Sequence, residues 1–281
     1  MVTNQSVLIT GASTGIGRAC ALHMAKFGWR VFAGVRDPLD AASLREEGMQ
    51  RLTPLFLDVT DPKSIKEAAE LVAVSEGATG ISGLVNNAGI PYGGPIEFLD
   101  LDEVRHVFEV NFLGVIAVTQ AFLPLLRLGT GRIVNVSSIS GLLAAPFVSP
   151  YSASKFALEA LSDSLRVELH PWNINVSVVE PGAINTPIWE KSGGILIDLF
   201  KRTPQMGLKL YGGAIHDMED RFKPHGIPSE TVAHAVAHAL TSRHPKTRYP
   251  IGVEGATIRF FSRLPDRIRD HIILLQLPKW G

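Results

Sequence analysis

SVLITGASTGIGRACALHMAKF, residues 6–27, is the stretch that decides how this chain folds. Residues 6–10 read as a buried strand, residues 11–17 as a glycine turn, and residues 18–27 as a helix. Strand, turn and helix in that order make a βα unit of the kind that binds dinucleotides. Gly11 permits the tight turn, Gly15 lets the backbone approach a pyrophosphate, and Gly17 lets helix pack on strand, with the helix N-terminus facing the phosphates. The spacing is Gly-x3-Gly-x-Gly rather than the common Gly-x-Gly-x2-Gly, and a glycine turn alone also fits an ordinary βα connection.

The pattern repeats outward from there. Strands are predicted at 7–10, 30–35, 52–57, 83–86, 132–137, 173–179 and 248–251, with helical stretches between them. Near-continuous Val/Ile/Leu strands imply a parallel sheet covered on both faces, an α/β doubly wound fold of Rossmann type. Asp61-Pro62 and Ser229 look like helix starts. No repeat or linker divides the 281 residues, so residues 1–281 read as a single domain. Within it, 187–228 is the longest irregular stretch and the candidate substrate lid, and 255–281 is a C-terminal extension.

Net charge is zero and the sequence pI is about 7.1. That removes the basic field of a nucleic-acid binder and favours a small-molecule partner. The only cysteine, Cys20, cannot form an internal disulfide and reads as a small core residue in a reducing compartment. The first strand begins too early for a signal peptide, and no apolar run reaches the length of a membrane span, so a cytoplasmic protein is expected. His234 and His238 are four apart but have no carboxylate or cysteine alongside, so no metal is expected.

Tyr151 and Lys155, in YSASK (151–155), are four apart and share one helix face. A phenol loses its proton near pH ~10 in water, and a neighbouring cation can bring that down. Such a tyrosine can exchange a proton with an alcohol or carbonyl if a cofactor takes or gives the hydride. Ser138 ends the fifth strand and Tyr151 begins the next helix, so both belong at the carboxyl edge of the sheet. Ser137 is adjacent, but alternation along a strand points it to the other face. No Gly-x-Ser-x-Gly elbow surrounds Ser138, which argues against a hydrolase.

TGASTGIG (10–17), NNAG (86–89), YSASK (151–155) and PGAINT (181–186) together resemble the short-chain dehydrogenase/reductase family, with its steroid- and retinol-dehydrogenase members the nearest in character. The resemblance runs from about residue 7 to 186. It implies a catalytic set of Asn111, Ser138, Tyr151 and Lys155: Ser138 bonds the substrate oxygen, Tyr151 is general acid or base, Lys155 also holds the nicotinamide ribose, and Asn111 positions a relay water. It implies a cofactor site of Gly11, Ser13, Thr14, Gly15, Ile16, Gly17, Arg36, Asp58, Val59, Asn87, Ala88, Gly89, Tyr151, Lys155, Pro181, Gly182, Ile184 and Thr186. Asp58 and Asn87 equally suit cap and turn chemistry, and Thr186 a loop.

Strand two ends in VFAGVRD (31–37), where Val35 fills the position that carries Asp in NAD-linked members and Arg36 follows. Arginine accommodates a 2′-phosphate, so NADP is the expected cofactor, with NAD kept open by Asp37. The helices at 104–128 and 152–169 resemble the family's pairing surface and predict a homodimer or homotetramer; Phe112, Val115, Phe122, Phe156, Leu158 and Leu165 supply it or are core.

The substrate is expected to be lipophilic, of steroid, retinoid or long-chain type. Its walls are assigned to Ile188, Trp189, Ile195, Leu196, Leu199, Phe200, Met206 and Leu208 on one side and Tyr92, Leu142, Leu143 and Phe147 on the other. The alternatives are a 3-oxoacyl thioester reductase and a non-catalytic dinucleotide sensor, the latter opposed by the intact Ser138, Tyr151 and Lys155. The tail, 258–277, mixes apolar residues with arginines; it packs on its own sheet, covers a neighbouring site or rests on a membrane, and packing is favoured over membrane contact because Pro265 interrupts it.

Overall fold

Seven parallel strands form one sheet in the computed structural model, which describes residues 5–185, 203–221 and 226–276. In chain order the strands are β1 (Ser6–Ile9), β2 (Arg30–Val35), β3 (Leu52–Phe56), β4 (Gly83–Asn86), β5 (Arg132–Val136), β6 (Asn175–Pro181) and, last in the sheet, β9 (Arg248–Ile251). Their order across the sheet is β3-β2-β1-β4-β5-β6-β9. The direction of winding reverses between β1 and β4, and the crevice at the carboxyl ends of those two strands is where such sheets bind ligands.

Strand alternation builds two cores. Val7 and Ile9 of β1, Val31 and Ala33 of β2 and Val134 of β5 face one side. Leu8, Phe32 and Ile133 face the other. The first side is covered by α1 (Gly15–Lys26) through Cys20, Ala21 and Met24, and by α8 (Ser229–Thr241) through Val232, Val236 and Leu240. The second is covered by α3 (Pro62–Glu76), α5 (Gly114–Gly129) and α6 (Ser149–Glu168) through Ile65, Phe122 and Leu165. Because both faces are sealed, the strands are apolar at nearly every position.

Asp61 caps α3, accepting from Lys63 N at 2.9 Å with Pro62 in the first turn. The helix at Ser229 begins where expected, but Pro228 is its cap residue and no side chain closes it. β6 starts at Asn175, two residues later than predicted, because Asn173 takes a left-handed φ of 55° that ends the preceding turn. Residues 187–228 were expected to be irregular, yet α7 (Gln205–Arg221) lies there, and the short β7 (Ile184–Asn185) pairs with β8 (Ile227–Pro228). Gly212 and Gly213 in mid-helix obscured it, since glycine weakens any helical pattern.

α4 (Leu101–Phe108) and α5 are joined without a break by a wider turn, Glu109–Leu113, in which Gly114 N bonds back five residues to Glu109 O. This single 29-residue helix, Leu101–Gly129, is long and apolar enough to cross a membrane, with mean hydropathy 1.7, contrary to the expectation that no such run exists. Asn111 and Gln120 break the run in sequence. In the fold it is a core helix: Val107, Val118, Phe122 and Leu126 are fully buried against the sheet. Two further helices, α9 (Val253–Phe261) and α10 (Asp266–Gln276), follow β9, with α9 lying against that strand and the turn after β5.

Candidate active site

The glycine turn adopts the conformation its spacing implies. Gly11 and Gly15 have φ of +63° and +55°. At Gly17 a Cβ would lie 2.1 Å from Gly11 O, so no side chain fits. Thr14 is the N-cap residue of α1 but makes no side-chain cap bond, leaving the first-turn amides open to an anion.

NNAG braces this turn from β4. Asn87 Nδ2 donates to Thr10 O (2.9 Å) and Gly11 O (3.0 Å), while the Asn87 and Ala88 amides both donate to Thr10 Oγ1 at 3.0 Å. Asn87, read as bounding the cofactor, thus has both amide protons engaged in holding the turn. Asp58 accepts from Thr60 N and Oγ1 at 2.9 and 2.8 Å. Although burial pushes its carboxyl up, those two bonds and the nearby Arg36 and His106 charges bring it below its usual value. Arg36 is exposed at the end of β2, Val35 is buried, and Asp37 Oδ1 accepts from Leu39 N at 2.8 Å as the cap of α2 (Pro38–Arg45).

Val59 and Ile184 are buried core residues and Ile16 packs against the core, so what each can offer a ligand is mainly backbone. Pro181 ends β6, and Gly182 N bonds to Ile251 O at 3.2 Å. Ser13 borders the turn beside Gly15, half-buried. Thr186, with Ile188, Trp189, Ile195, Leu196, Leu199 and Phe200, lies outside the described residues.

Ser138, directly after β5, accepts from Ser140 N at 3.1 Å and so starts the tight turn Ile139–Gly141. α6 begins eleven residues on and places Tyr151 in its first turn, where the phenol hydrogen-bonds to Ser138. Lys155, one turn later, is 4% exposed and donates to Val136 O at 3.0 Å. Its Nζ is 5.7 Å from the Tyr151 ring centroid.

Burial pushes the Tyr151 phenol above its ordinary value, and the Ser138 hydroxyl is the group that opposes it. The downward shift anticipated from Lys155 is absent because that ammonium is turned onto the Val136 carbonyl and is itself pushed down to about 8 by burial.

Asn111 lies in the wide turn and is completely buried. Its Oδ1 accepts from Ile90 N (2.8 Å), and its Nδ2 donates to Ile90 O (3.0 Å) and Ser154 Oγ (3.0 Å). Gly89 sits between the two groups: a Cβ there would be 3.3 Å from Asn111 Oδ1 and 3.5 Å from Lys155 Nζ. Asn111, Gly89 and Lys155 therefore form one floor, with Ser138 and Tyr151 above it.

Aromatic groups bound the open side. Tyr211 of α7 meets Phe98 and Phe147 edge-on at 6.3 and 5.9 Å, and Gly207 lets α7 close on Phe98, where a Cβ would come within 2.9 Å. Phe147 is buried with a left-handed φ of 64° and accepts from Gly94 N at 2.6 Å. Tyr92 accepts from Asp100 N at 3.1 Å. Leu142, Leu143 and Leu208 are half-buried and Met206 is exposed.

The two histidines go to different partners, His234 stacking on His23 at 4.6 Å and His238 meeting Tyr249 Oη at 2.9 Å. The sequence reading missed Ser154, which links Asn111 to Tyr151 O (2.7 Å), and the buried group Glu159, Glu180 and Arg248. The repeat of four that joins Tyr151 to Lys155 also reaches Glu159 and could have found that residue; nothing in the sequence pairs Arg248 with it.

Relatives show the same arrangement of chain. Retinol dehydrogenase 5 of Mus musculus is 39% identical over 97% of this chain and 89% of its own length. The 17-beta-hydroxysteroid dehydrogenase type 6 of Bos taurus is 40% identical with the same coverage. The mitochondrial D-beta-hydroxybutyrate dehydrogenase of Rattus norvegicus is 37% identical over 88% of this chain and 76% of its own. Among solved structures, a short chain dehydrogenase from Burkholderia cenocepacia in complex with NADP superposes with TM-score 0.74 at 26% identity, covering 98% of this chain and 99% of that one. Residues 5–194 match the family described as short chain dehydrogenase, and with the glycine turn, Ser138, Tyr151 and Lys155 gathered at one sheet edge, the chain belongs to that family.

Proposed function

We propose that this protein is an NADP-linked oxidoreductase that interconverts a secondary alcohol and a carbonyl on a lipophilic substrate. The observation that carries the reading is the meeting of Ser138, Tyr151 and Lys155 beside a glycine turn that admits no side chain at Gly17. The residues fit a nicotinamide dinucleotide, with the open amides of α1 suited to its pyrophosphate and Arg36 to a 2′-phosphate. When bound, the dinucleotide supplies or accepts the hydride. Ser138 Oγ holds the substrate oxygen. In reduction Tyr151 Oη gives that oxygen a proton, and in oxidation it takes one. Lys155 stabilises the phenolate that remains, and Asn111 fixes the floor beneath it.

NADP is favoured over NAD because Asp37, the carboxylate that could have faced a free ribose, is engaged as the cap of α2 while Arg36 stays exposed. Phe98, Phe147 and Tyr211 support an apolar substrate, as do the retinol- and steroid-dehydrogenase relatives. In this reading α7 and the preceding segment form the lid. The hydroxybutyrate relative favours a second reading, a short 3-hydroxy acid or thioester. A matrix of NADP and NAD against retinoid, steroid, long-chain, 3-oxoacyl and short hydroxy-acid substrates separates them. The expected result is tighter NADP and rising kcat/KM with apolar size. Preference for NAD refutes the first half, and preference for short hydroxy acids the second.

We further propose that it works as a cytoplasmic homodimer. Of the six residues expected at the interface, Val115, Phe122, Leu158 and Leu165 are core, but Phe156 is 44% exposed and is joined by Leu113 and Val167. The apolar residues of α10, Ile268, Leu274 and Leu275, are also exposed, so the surface offers a rival contact. Light scattering should give a dimer mass that Phe156→Lys halves; a monomer mass for the parent protein, or its recovery with membranes, counts against this.

A further inference from the structure

Tyr151, Lys155, Glu159 and Asp163 recur every four residues along α6, so they lie in one row on that helix. The first two belong to the active site; the last two have no part in it. Glu159 is buried, and so is Glu180 of β6. Buried carboxylates keep their charge only when paired. Here one guanidinium serves three acids: Arg248 of β9 donates through Nη1 to Glu159 Oε2 and to Glu180 Oε1 (2.9 Å), and through Nη2 to Asp163 Oδ1 (2.8 Å). Arg166 adds a second cation, but only at Asp163, the most exposed of the three. The cluster is therefore under-neutralised on its buried side.

Glu159 Oε1 and Glu180 Oε2 have no hydrogen-bond partner among the described residues. The space beside Glu159 is closed. A Cβ at Gly141 would be 2.9 Å from Ser137 Oγ, 3.1 Å from Lys155 O and 3.2 Å from Glu159 Cγ. Ser137 thus faces Glu159, away from the phenol.

We propose that Glu159, anchored by Arg248, is a positioning residue for proton exchange: its under-neutralised carboxylate keeps the proton on Lys155, so that the last strand of the sheet tunes the start of the catalytic helix.

The proposal rests on the assignment of Tyr151 and Lys155 as the proton-exchanging pair. Burial pushes Lys155 down to about 8, and Glu159 is the group that opposes the fall. Around Lys155 the other elements present Gly89, Asn111 and the Val136 carbonyl, none of which titrates; its own helix presents Tyr151 and Glu159. Around Glu159 stand Arg248 from β9, Glu180 from β6, Ser137 after β5, and Asp163 and Arg166 from α6. Removing a negative charge near an ammonium makes its proton easier to lose, so Lys155 would titrate at lower pH without Glu159.

The test is the pH profile of kcat/KM for carbonyl reduction by the full chain. Glu159→Gln should move the alkaline limb to lower pH by about one unit while the acid plateau changes little, and Glu159→Asp, which keeps the charge, should restore it. A structural role alone would lower thermal stability and rate without moving the limb. If Glu159→Gln does not fold, Arg248→Lys reports instead: a lysine cannot serve all three acids, Glu159 is left less neutralised, and the limb should move to higher pH. An unmoved limb in Glu159→Gln, or in Arg248→Lys where the first variant does not fold, overturns the proposal. Failure of the underlying assignment is distinguishable, because it would appear as normal turnover in Tyr151→Phe wherever the limb lies.

Discussion

Tyr151→Phe is expected to lower turnover by about a thousandfold, the scale of a positioned general acid or base, while dinucleotide affinity stays near that of the parent protein. The ring remains, so the packing of the first turn of α6 is kept; only the hydroxyl that bonds to Ser138 is lost. Ser138 still accepts from Ser140 N in the variant, so its turn holds. Lys155 is fixed by Val136 O independently of the phenol. Steady-state rates with the preferred substrate, alongside a direct cofactor titration, separate lost chemistry from lost binding. A Tyr151→Phe enzyme turning over at the parent rate would remove Tyr151 from the mechanism.

Gly17→Ala should damage the protein at an earlier step. The added Cβ would lie 2.1 Å from Gly11 O and 2.5 Å from Asn87 Nδ2, and the Gly11 oxygen is backbone held in place by that same amide. Relief requires either α1 to back away from β1 or the Asn87 strap to open. The expected cost is about 3 kcal/mol of stability, the upper end for overpacking a tight contact, with dinucleotide affinity falling too because the turn itself is displaced. Gly212→Ala in α7 is the control: nothing lies within 4 Å of its Cβ position, and alanine favours a helix over glycine by about 1 kcal/mol. Thermal melts with and without NADP measure both effects. If Gly17→Ala is as stable and as avid as the parent, the close packing of turn, helix and strap does not matter to binding.

The sheet was legible because its strands are sealed on both sides. Val7, Leu8 and Ile9 all have to be apolar when alternate residues enter opposite cores, and a run of that kind between turn residues has few other readings. Ser138, Tyr151 and Lys155 were legible because spacing along one strand end and one helix fixes them locally. What escaped depends on contacts between distant parts of the chain. Arg248 meets Glu159 across 89 residues, and Asn135 joins Asn86 to Ser162 inside the core; polar residues in such places look like surface residues until the fold brings them together. Asn87 was visible as a motif, but its engagement with Thr10 and Gly11 is a property of two strand ends meeting. The four deeply buried candidates for the dimer surface were misplaced for a related reason, since an apolar helix position does not declare which neighbour covers it.

The wide turn at Glu109–Leu113 makes length, rather than composition, the sensitive variable in the longest helix. Each residue of an ordinary helix rotates its successor by about 100°, so a bond reaching back five positions instead of four resets the phase of everything beyond it. The apolar stripe of α4 and that of α5 are cut to fit different neighbours, and the widening reconciles them at Asn111, the one place where the helix must also turn an amide toward Ile90. A substitution in this segment changes one side chain. Deleting a single residue would leave a good helix and swing its whole second half, Phe122 and Leu126 included, out of register with the sheet.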